Sequence, residues 1–595
     1  MPAARTSLVL LLAIAALHAG RAAAGPTVKL VLIGTSDLHG HIEATPETLA
    51  LDGGGSSTTR RGGLALLGGY VGNARLAHPG GVVLVDSGDM LQGTLVSNLS
   101  EGAATVKAMN QLGYAAAAIG NHEFDFGPLG PRSIPVAPGD DPRGALKARA
   151  AEANFPWLTC NVRDRTSRLP VAAPRVKEFT IVQAGGIKVG IVGGTSEDTP
   201  RTTAKQNLVG LVVEPLAPSV IRAAAEARRA GATVVVLAVH AGGECKEWSR
   251  PDDLSSCVAS SEVFDLARAL PPGTVDAIFA GHTHQGVSAI VHGIPIAQAF
   301  ADGKSFARID LTVDAATGKA IPGGAKVFPP TDLCAEVTDG VRACDPKRAR
   351  GRRLVVATYE GAPVASDPRV DAAFATDLAT ALARRSQPLG VRALGRFHHE
   401  YKRESALGNL VADLLRAAAP EADVGLTNGG GVRADLPKGD LTYGQLFEVL
   451  PFDNRLAIVR VRGVALRRLI TRNLAGGNGI LSLSGLRAEG VCRGDQLEIA
   501  LTLEDGRPLL DAATYTVVTS DFLALGGDDF GVLAPDHPEI QIDPNAPLLR
   551  ERVIALLRTR PGALRPDDPA LFDEAHPRIR LPGPRPVHCP AGDAR

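Results

Sequence analysis

Aromatic side chains are scarce in this chain, with 16 Phe, 6 Tyr and 2 Trp among 595 residues, and there are only 3 Met. Apolar residues still reach 45%, so the shortage reflects enrichment in Ala, Gly, Pro and Arg and excludes intrinsic disorder. Each aromatic position is correspondingly informative. Net charge is also missing, because 63 Lys and Arg balance 63 Asp and Glu. That balance excludes a global field able to recruit a nucleic-acid polymer or a membrane surface, and any pull on an anion must be local. The seven cysteines form no C-x-x-C pair, which disfavours a thiolate metal site. No G-x-S-x-G elbow is present to supply a serine nucleophile. Beyond the opening residues nothing reads as a membrane span. No Cys follows the first apolar run to take a lipid, and the Pro-rich end (Pro582, Pro584, Pro586, Pro590) offers no hydrophobic tail, so no membrane anchor is expected in the mature chain.

The opening stretch has Arg5, an apolar run over residues 8–17 and then Ala22-Ala23-Ala24-Gly25, the order of a secretory signal cleaved after Ala24. Residues 7–17 are short for a membrane span of about 20 residues. An exported protein, periplasmic or extracellular, is expected, and in it Cys245/Cys257 and Cys334/Cys344 are candidates for short disulfide loops. The odd number of cysteines leaves at least one thiol unpaired within the chain. Length alone argues for two large domains or three ordinary ones.

Residues 28–350 repeat one theme: an apolar, β-branched run, a polar loop, then an Ala/Leu-rich helical stretch. The runs cover residues 28–33, 82–85, 115–119, 187–192, 233–239 and 275–279, and their continuous apolar character suits strands buried on both faces of an α/β layered domain. Residues 351–388 read as a linker with a helix over 368–384. A second α/β region follows over 389–581, with strands near 456–461 and 514–519 and a helix near 408–418, and a tail closes the chain at 582–595.

Chemistry-bearing residues gather just after the early strands. They are Asp37-Leu38-His39, then Gly88-Asp89 with Gly93, then Gly120-Asn121-His122-Glu123-Phe124-Asp125, then His240 with Gly242-Gly243, and last Gly281-His282-Thr283-His284. Ligands in layered α/β folds collect outside the carboxyl ends of strands, so five strands deliver Asp, Asn and His to one edge. The adjoining glycines permit the tight turns that bring short side chains to one point.

These motifs together resemble the calcineurin-like metallophosphoesterases, and within them the secreted 5′-nucleotidases, a family that includes UDP-sugar hydrolases. The resemblance covers nearly everything after residue 24. It implies a four-layer α-β-β-α sandwich for residues 25–350 and an α/β substrate-binding domain joined to it by a helix. It also implies one divalent ion on Asp37, His39 and His284, another on Asn121, His240 and His282, and Asp89 bridging them. Some bacterial relatives carry Gln at the position of His284. Mixed imidazole and carboxylate ligands suit Zn, Mn, Fe or Co. Catalysis would proceed by attack of a hydroxide held between the ions, with His122 stabilising the developing charge or protonating the leaving oxygen and Asp125 fixing its tautomer.

In the second region Arg403 precedes a helix, and the loop from Asn428 through Gly430 to Arg433 offers backbone N–H groups and a planar fork for phosphate. The resemblance places the nucleobase between Phe452 and Phe522 and the ribose at Asp528, so the expected partner is a nucleotide bound in a cleft between domains whose rotation gates entry. Relatives commonly carry Gly where Asp453 and Asp529 stand here. Two other reactions use the same scaffold, thiosulfohydrolysis and 2′,3′-cyclic phosphodiester hydrolysis.

Overall fold

The computed structural model describes residues 25–135 and 137–589. The expected signal peptide and residues 590–595 of the expected tail lie outside the described residues. Each of the six early runs is a strand, and they divide between two sheets. Thr27–Thr35, Val82–Asp86 and Ala116–Ala118 run parallel in an eight-stranded sheet. Ile187–Thr195, Val234–His240 and Ala277–Phe279 run parallel in a six-stranded one.

The two sheets stack face to face. Along the first strand Leu30 and Leu32 join Val83, Val85, Val236 and Phe279 in the core between sheets, while Val31 and Ile33 turn outward to the helices Leu64–Ala77 and Ala103–Leu112. This alternation follows from the two-residue period of a strand. Leu237 and Val239 pack outward in the same way on Leu216–Arg229 and Glu262–Ala269. The α-β-β-α order expected for this part of the chain is therefore present. Gly34 sets how closely the sheets approach, because a Cβ there would stand 2.1 Å from the Phe279 ring. Only glycine fits at that crossing, directly beneath Asp37 and His282.

The second unit has a five-stranded sheet in the order Leu481–Ser484, Val424–Asn428, Thr514–Ser520, Leu456–Arg462, Glu539–Ile542. Helices Ala406–Ala417 and Gly463–Ala475 contribute to separate apolar clusters around it. The first helix begins where Ser405 Oγ accepts from Gly408 N at 3.0 Å, a side-chain cap on an otherwise unpaired amide.

The linker helix expected over 368–384 is two helices, Pro368–Ala373 and Ala375–Arg385. They are interrupted at Phe374, whose φ of −121° and ψ of 13° leave the helical region while its ring enters the apolar cluster shared by both units. Burying an aromatic ring outweighs continuing one helix. Disulfides join Cys245 to Cys257 and Cys334 to Cys344, the two pairs suggested by spacing. A third, Cys492–Cys589, spans 97 residues. Cys160 is the unpaired thiol, buried and pushed up to about 12 by burial. Among the described residues no helix is long and apolar enough to cross a membrane.

Candidate metal centre and interdomain cleft

All the strand-end residues meet at the carboxyl edges of the two stacked sheets. Asp37, His39 and His284 form one cluster and Asp89, His240 and His282 another, each with donor atoms within 4.8 Å of one another. The Nε2 atoms of His39 and His284 are 3.0 Å apart. His240 Nε2 lies 3.1 Å from Asn121 Oδ1 and 3.0 Å from Asp89 Oδ2. The same Asp89 oxygen is 3.8 Å from His39 Nε2, so this carboxylate stands between the clusters.

Three observations show that these groups fit divalent cations. Backbone carbonyls take the far ring nitrogens, Gln92 O at 2.7 Å from His39 Nδ1 and Ser87 O at 2.9 Å from His240 Nδ1, which leaves the Nε2 lone pairs turned inward. Asp37 Oδ2 is buried without a hydrogen-bond partner, a costly state for a carboxylate oxygen unless a cation meets it. Burial, and then the neighbouring His240, hold His282 down to about 3, while the Asp89 carboxylate outweighs burial and raises His240 to about 10, drawing positive charge to the place where a cation would sit. An imidazole and carboxylate donor set of this kind suits a transition metal.

The backbone is strained at the same places. Asp37, His39, Asp89, His282 and His284 all have φ between +46° and +81°. Non-glycine residues seldom adopt this region, although Asp and His enter it more readily than most. Gly120 must pass Asp89 closely, since a Cβ there would lie 2.2 Å from Asp89 Oδ1.

Beside the clusters His122 Nδ1 and Asp125 Oδ2 are 2.5 Å apart, and His122 Nε2 is 4.0 Å from Asp89 Oδ2. Burial alone would lower the basicity of His122, but the carboxylates of Asp125 and Asp89 outweigh it and raise the imidazole to about 9.

A cavity of about 990 Å³ opens between the two units over this centre. His39, Asp89, Asn121, His122, Asp125, His282 and His284 line one wall; Asn428, Gly430, Arg433, Phe452, Phe522 and Asp528 line the other. Asp37 and His240 lie fully buried behind the first wall. The Phe452 ring stacks on His122, with centroids 5.9 Å apart and planes at 27°, and Arg433 Cζ is 6.0 Å from the Phe452 ring centre. Arg403 is not brought to the cavity wall: its side chain is 77% exposed and pairs with Glu400. The neighbours of Arg403 in sequence serve the fold, Ser405 as a cap and Glu404 as acceptor for Asn409 Nδ2 and Ile579 N.

Two family models match the chain: calcineurin-like phosphoesterase over residues 30–286 and 5′-nucleotidase, C-terminal domain, over residues 386–535. The chain belongs to the calcineurin-like phosphoesterases with a 5′-nucleotidase C-terminal domain. It is 26% identical to endonuclease YhcR of Bacillus subtilis over 84% of this chain and 37% of that protein. It is also 26% identical to cell wall protein Lmo0130 of Listeria monocytogenes, over 88% of this chain and 66% of that protein. The chain thus spans less than two thirds of either relative. The crystal structure of a 5′-nucleotidase precursor from Thermus thermophilus superposes with a TM-score of 0.68 at 25% identity, covering 93% of this chain and 99% of that one.

In this calcineurin-like phosphoesterase one supporting residue escapes a reading of the sequence. Glu123 is buried, and its carboxylate accepts from Asp89 N at 2.9 Å, Met90 N at 2.7 Å and Gly120 N at 2.7 Å, binding the Asp89 loop to the Asn121 loop. Burial and then the Asp89 charge push it up to about 7. Its motif position was visible, but its backbone partners were not. The extra charge of Asp453 is met by the buried Arg550, whose Nη2 donates to Asp453 Oδ1 at 2.8 Å. The side chain of Asp529 lies outside the described residues.

Proposed function

We propose that the protein is a metal-dependent phosphoester hydrolase that removes phosphate from 5′-nucleotides bound between its two units. The observation that carries this reading is that one cavity joins two clusters of metal-ligating side chains and the His122–Asp125 pair to an opposite wall bearing Phe452, Phe522 and Arg433. Asp37, His39 and His284 would hold one cation, Asn121, His240 and His282 the other, with Asp89 between them. Divalent ions at such ligands supply Lewis-acid charge for the phosphoryl oxygens and a nucleophilic water at neutral pH.

The protein's own residues do the rest. Asp125 accepts the Nδ1 proton of His122 and so fixes the tautomer and the ring plane. His122 Nε2 then faces the reacting group and, protonated, donates to the oxygen that departs with the nucleoside. Arg433 offers planar donors to the phosphate from the far wall. A base captured at Phe452 would exchange one flat partner, the His122 ring, for another, which couples binding to movement of the two walls relative to each other.

The test is to load the protein with Zn, Mn, Fe or Co and supply AMP, ADP, UDP-glucose, 2′,3′-cyclic AMP and thiosulfate, following phosphate and sulfate release. Release from AMP is expected to dominate. Sulfate from thiosulfate, or turnover of the cyclic ester alone, would replace the nucleotidase reading with one of its alternatives.

A further inference from the structure

The segment after strand Ile187–Thr195 touches both halves of the site. Thr203 Oγ1 donates to Asn121 O at 3.0 Å and Asn207 Nδ2 to Phe124 O at 2.9 Å, so it is tied to the loop that carries His122 and Asp125. Within it Arg201 grips Asp198 with two teeth, Nε to Oδ1 at 2.7 Å and Nη2 to Oδ2 at 2.5 Å. A guanidinium held bidentate has little freedom left, so the direction of its third nitrogen is fixed. That nitrogen, Nη1, points across the cleft at Asp528 Oδ1, 3.4 Å away.

Asp528 is gripped from its own unit too. Its Oδ2 accepts from Asn428 Nδ2 at 2.5 Å, and its backbone holds a left-handed φ of 44°. Both units thus reach the same carboxylate, and Arg201, Asn428 and Asp528 all face the cavity. Carboxylate oxygens accept more than one hydrogen bond, and contacts of this kind orient the group. Two oxygens side by side in a fixed plane match two adjacent hydroxyls.

We propose that Arg201 is a positioning residue that orients Asp528 toward the vicinal diol of a ribose and so sets a preference for ribonucleotides over 2′-deoxyribonucleotides. The proposal rests on the nucleotide reading above and adds to it a residue from the phosphoesterase unit. With Arg201 gone the carboxylate loses its partner in the other unit while keeping Asn428, so its plane is less firmly set and a second hydroxyl on the sugar no longer gains a well-aimed acceptor.

The experiment measures kcat and KM for AMP and 2′-deoxy-AMP with the metal-loaded full chain, Arg201→Ala, and Asp198→Asn, which loosens Arg201 from its own unit without removing it. A site that hydrogen-bonds a hydroxyl rejects the analogue lacking it, so the wild type is expected to favour AMP in kcat/KM by about tenfold or more. Both variants should bring that preference to within about threefold, chiefly through KM for AMP, at unchanged metal content. An equal loss on both substrates would show that Arg201 only helps hold the units together, and would overturn the proposal. So would an unchanged preference, or a wild type indifferent to the 2′-hydroxyl. Absence of phosphate release from either substrate in the wild type would instead bring down the nucleotidase reading itself.

Discussion

The two walls of the cleft are built to different standards. On the phosphoesterase side Asp37, Asp89, Asn121 and His240 are essentially inaccessible, and neighbouring backbone or side chains fix their orientation. On the opposite side Phe452 and Phe522 are only half buried, Arg433 is exposed, and Phe452 is in ring contact with a residue of the other unit. The first wall is preorganised for ligands that tolerate little misplacement, and the second is adaptable. Substitutions should therefore act nearly all-or-none on the first wall and in graded fashion on the second.

Asp89→Asn tests the rigid wall hardest. It removes charge from the carboxylate between the clusters, so phosphate release is expected to reach the assay floor while elemental analysis shows metal loss; retention of full metal and turnover would contradict the bridging role. His122→Ala should follow, lowering kcat by about 10²–10⁴-fold with metal content unchanged, the range for losing a general acid. A parallel loss of metal would show that His122 holds the site together and does not act in the chemistry.

Glu123→Gln sharpens the comparison from behind the wall. One of the three amides now facing a carboxylate oxygen would meet an amide N–H, so a drop of about 10–100-fold in activity or metal affinity is expected, as for other groups that orient ligands. Equal activity across a metal titration would mean that the loops hold without it. The mildest effect belongs to the adaptable wall. Phe452→Ala should cost about 1–3 kcal/mol of nucleotide binding, seen as a higher KM for AMP, because base stacking has that worth. Inorganic pyrophosphate, which has no base, should bind the variant as it binds the parent; a matching loss there would place the ring outside base recognition.

The sequence was most legible where local pattern and function coincide. Short apolar runs ending in Asp, Asn or His mark both a buried strand and the edge where it delivers a ligand, so layers and clusters could be read together. Partners brought from afar were hidden. Glu123 gains its meaning from amides more than thirty residues upstream, and Arg201 sits in a stretch with no motif. The pairing of Cys492 with Cys589 follows from a fold and not from a spacing. Around Arg403 the motif also serves the fold: Ser405 and Glu404 cap and anchor a helix, while the guanidinium pairs with Glu400 outside the cavity wall. The break at Phe374 reflects tertiary packing overriding a helical pattern.

The left-handed backbone at Asp37, His39, Asp89, His282 and His284 has an evolutionary consequence. Each such residue withholds roughly 1–3 kcal/mol from the fold; glycine would relieve that strain at the three histidines, whereas at Asp37 and Asp89 it would also strip the acceptors of His282 N and His122 N. A library of variants selected for heat resistance alone should accumulate glycine at those histidines and emerge sturdier, metal-poor and inert.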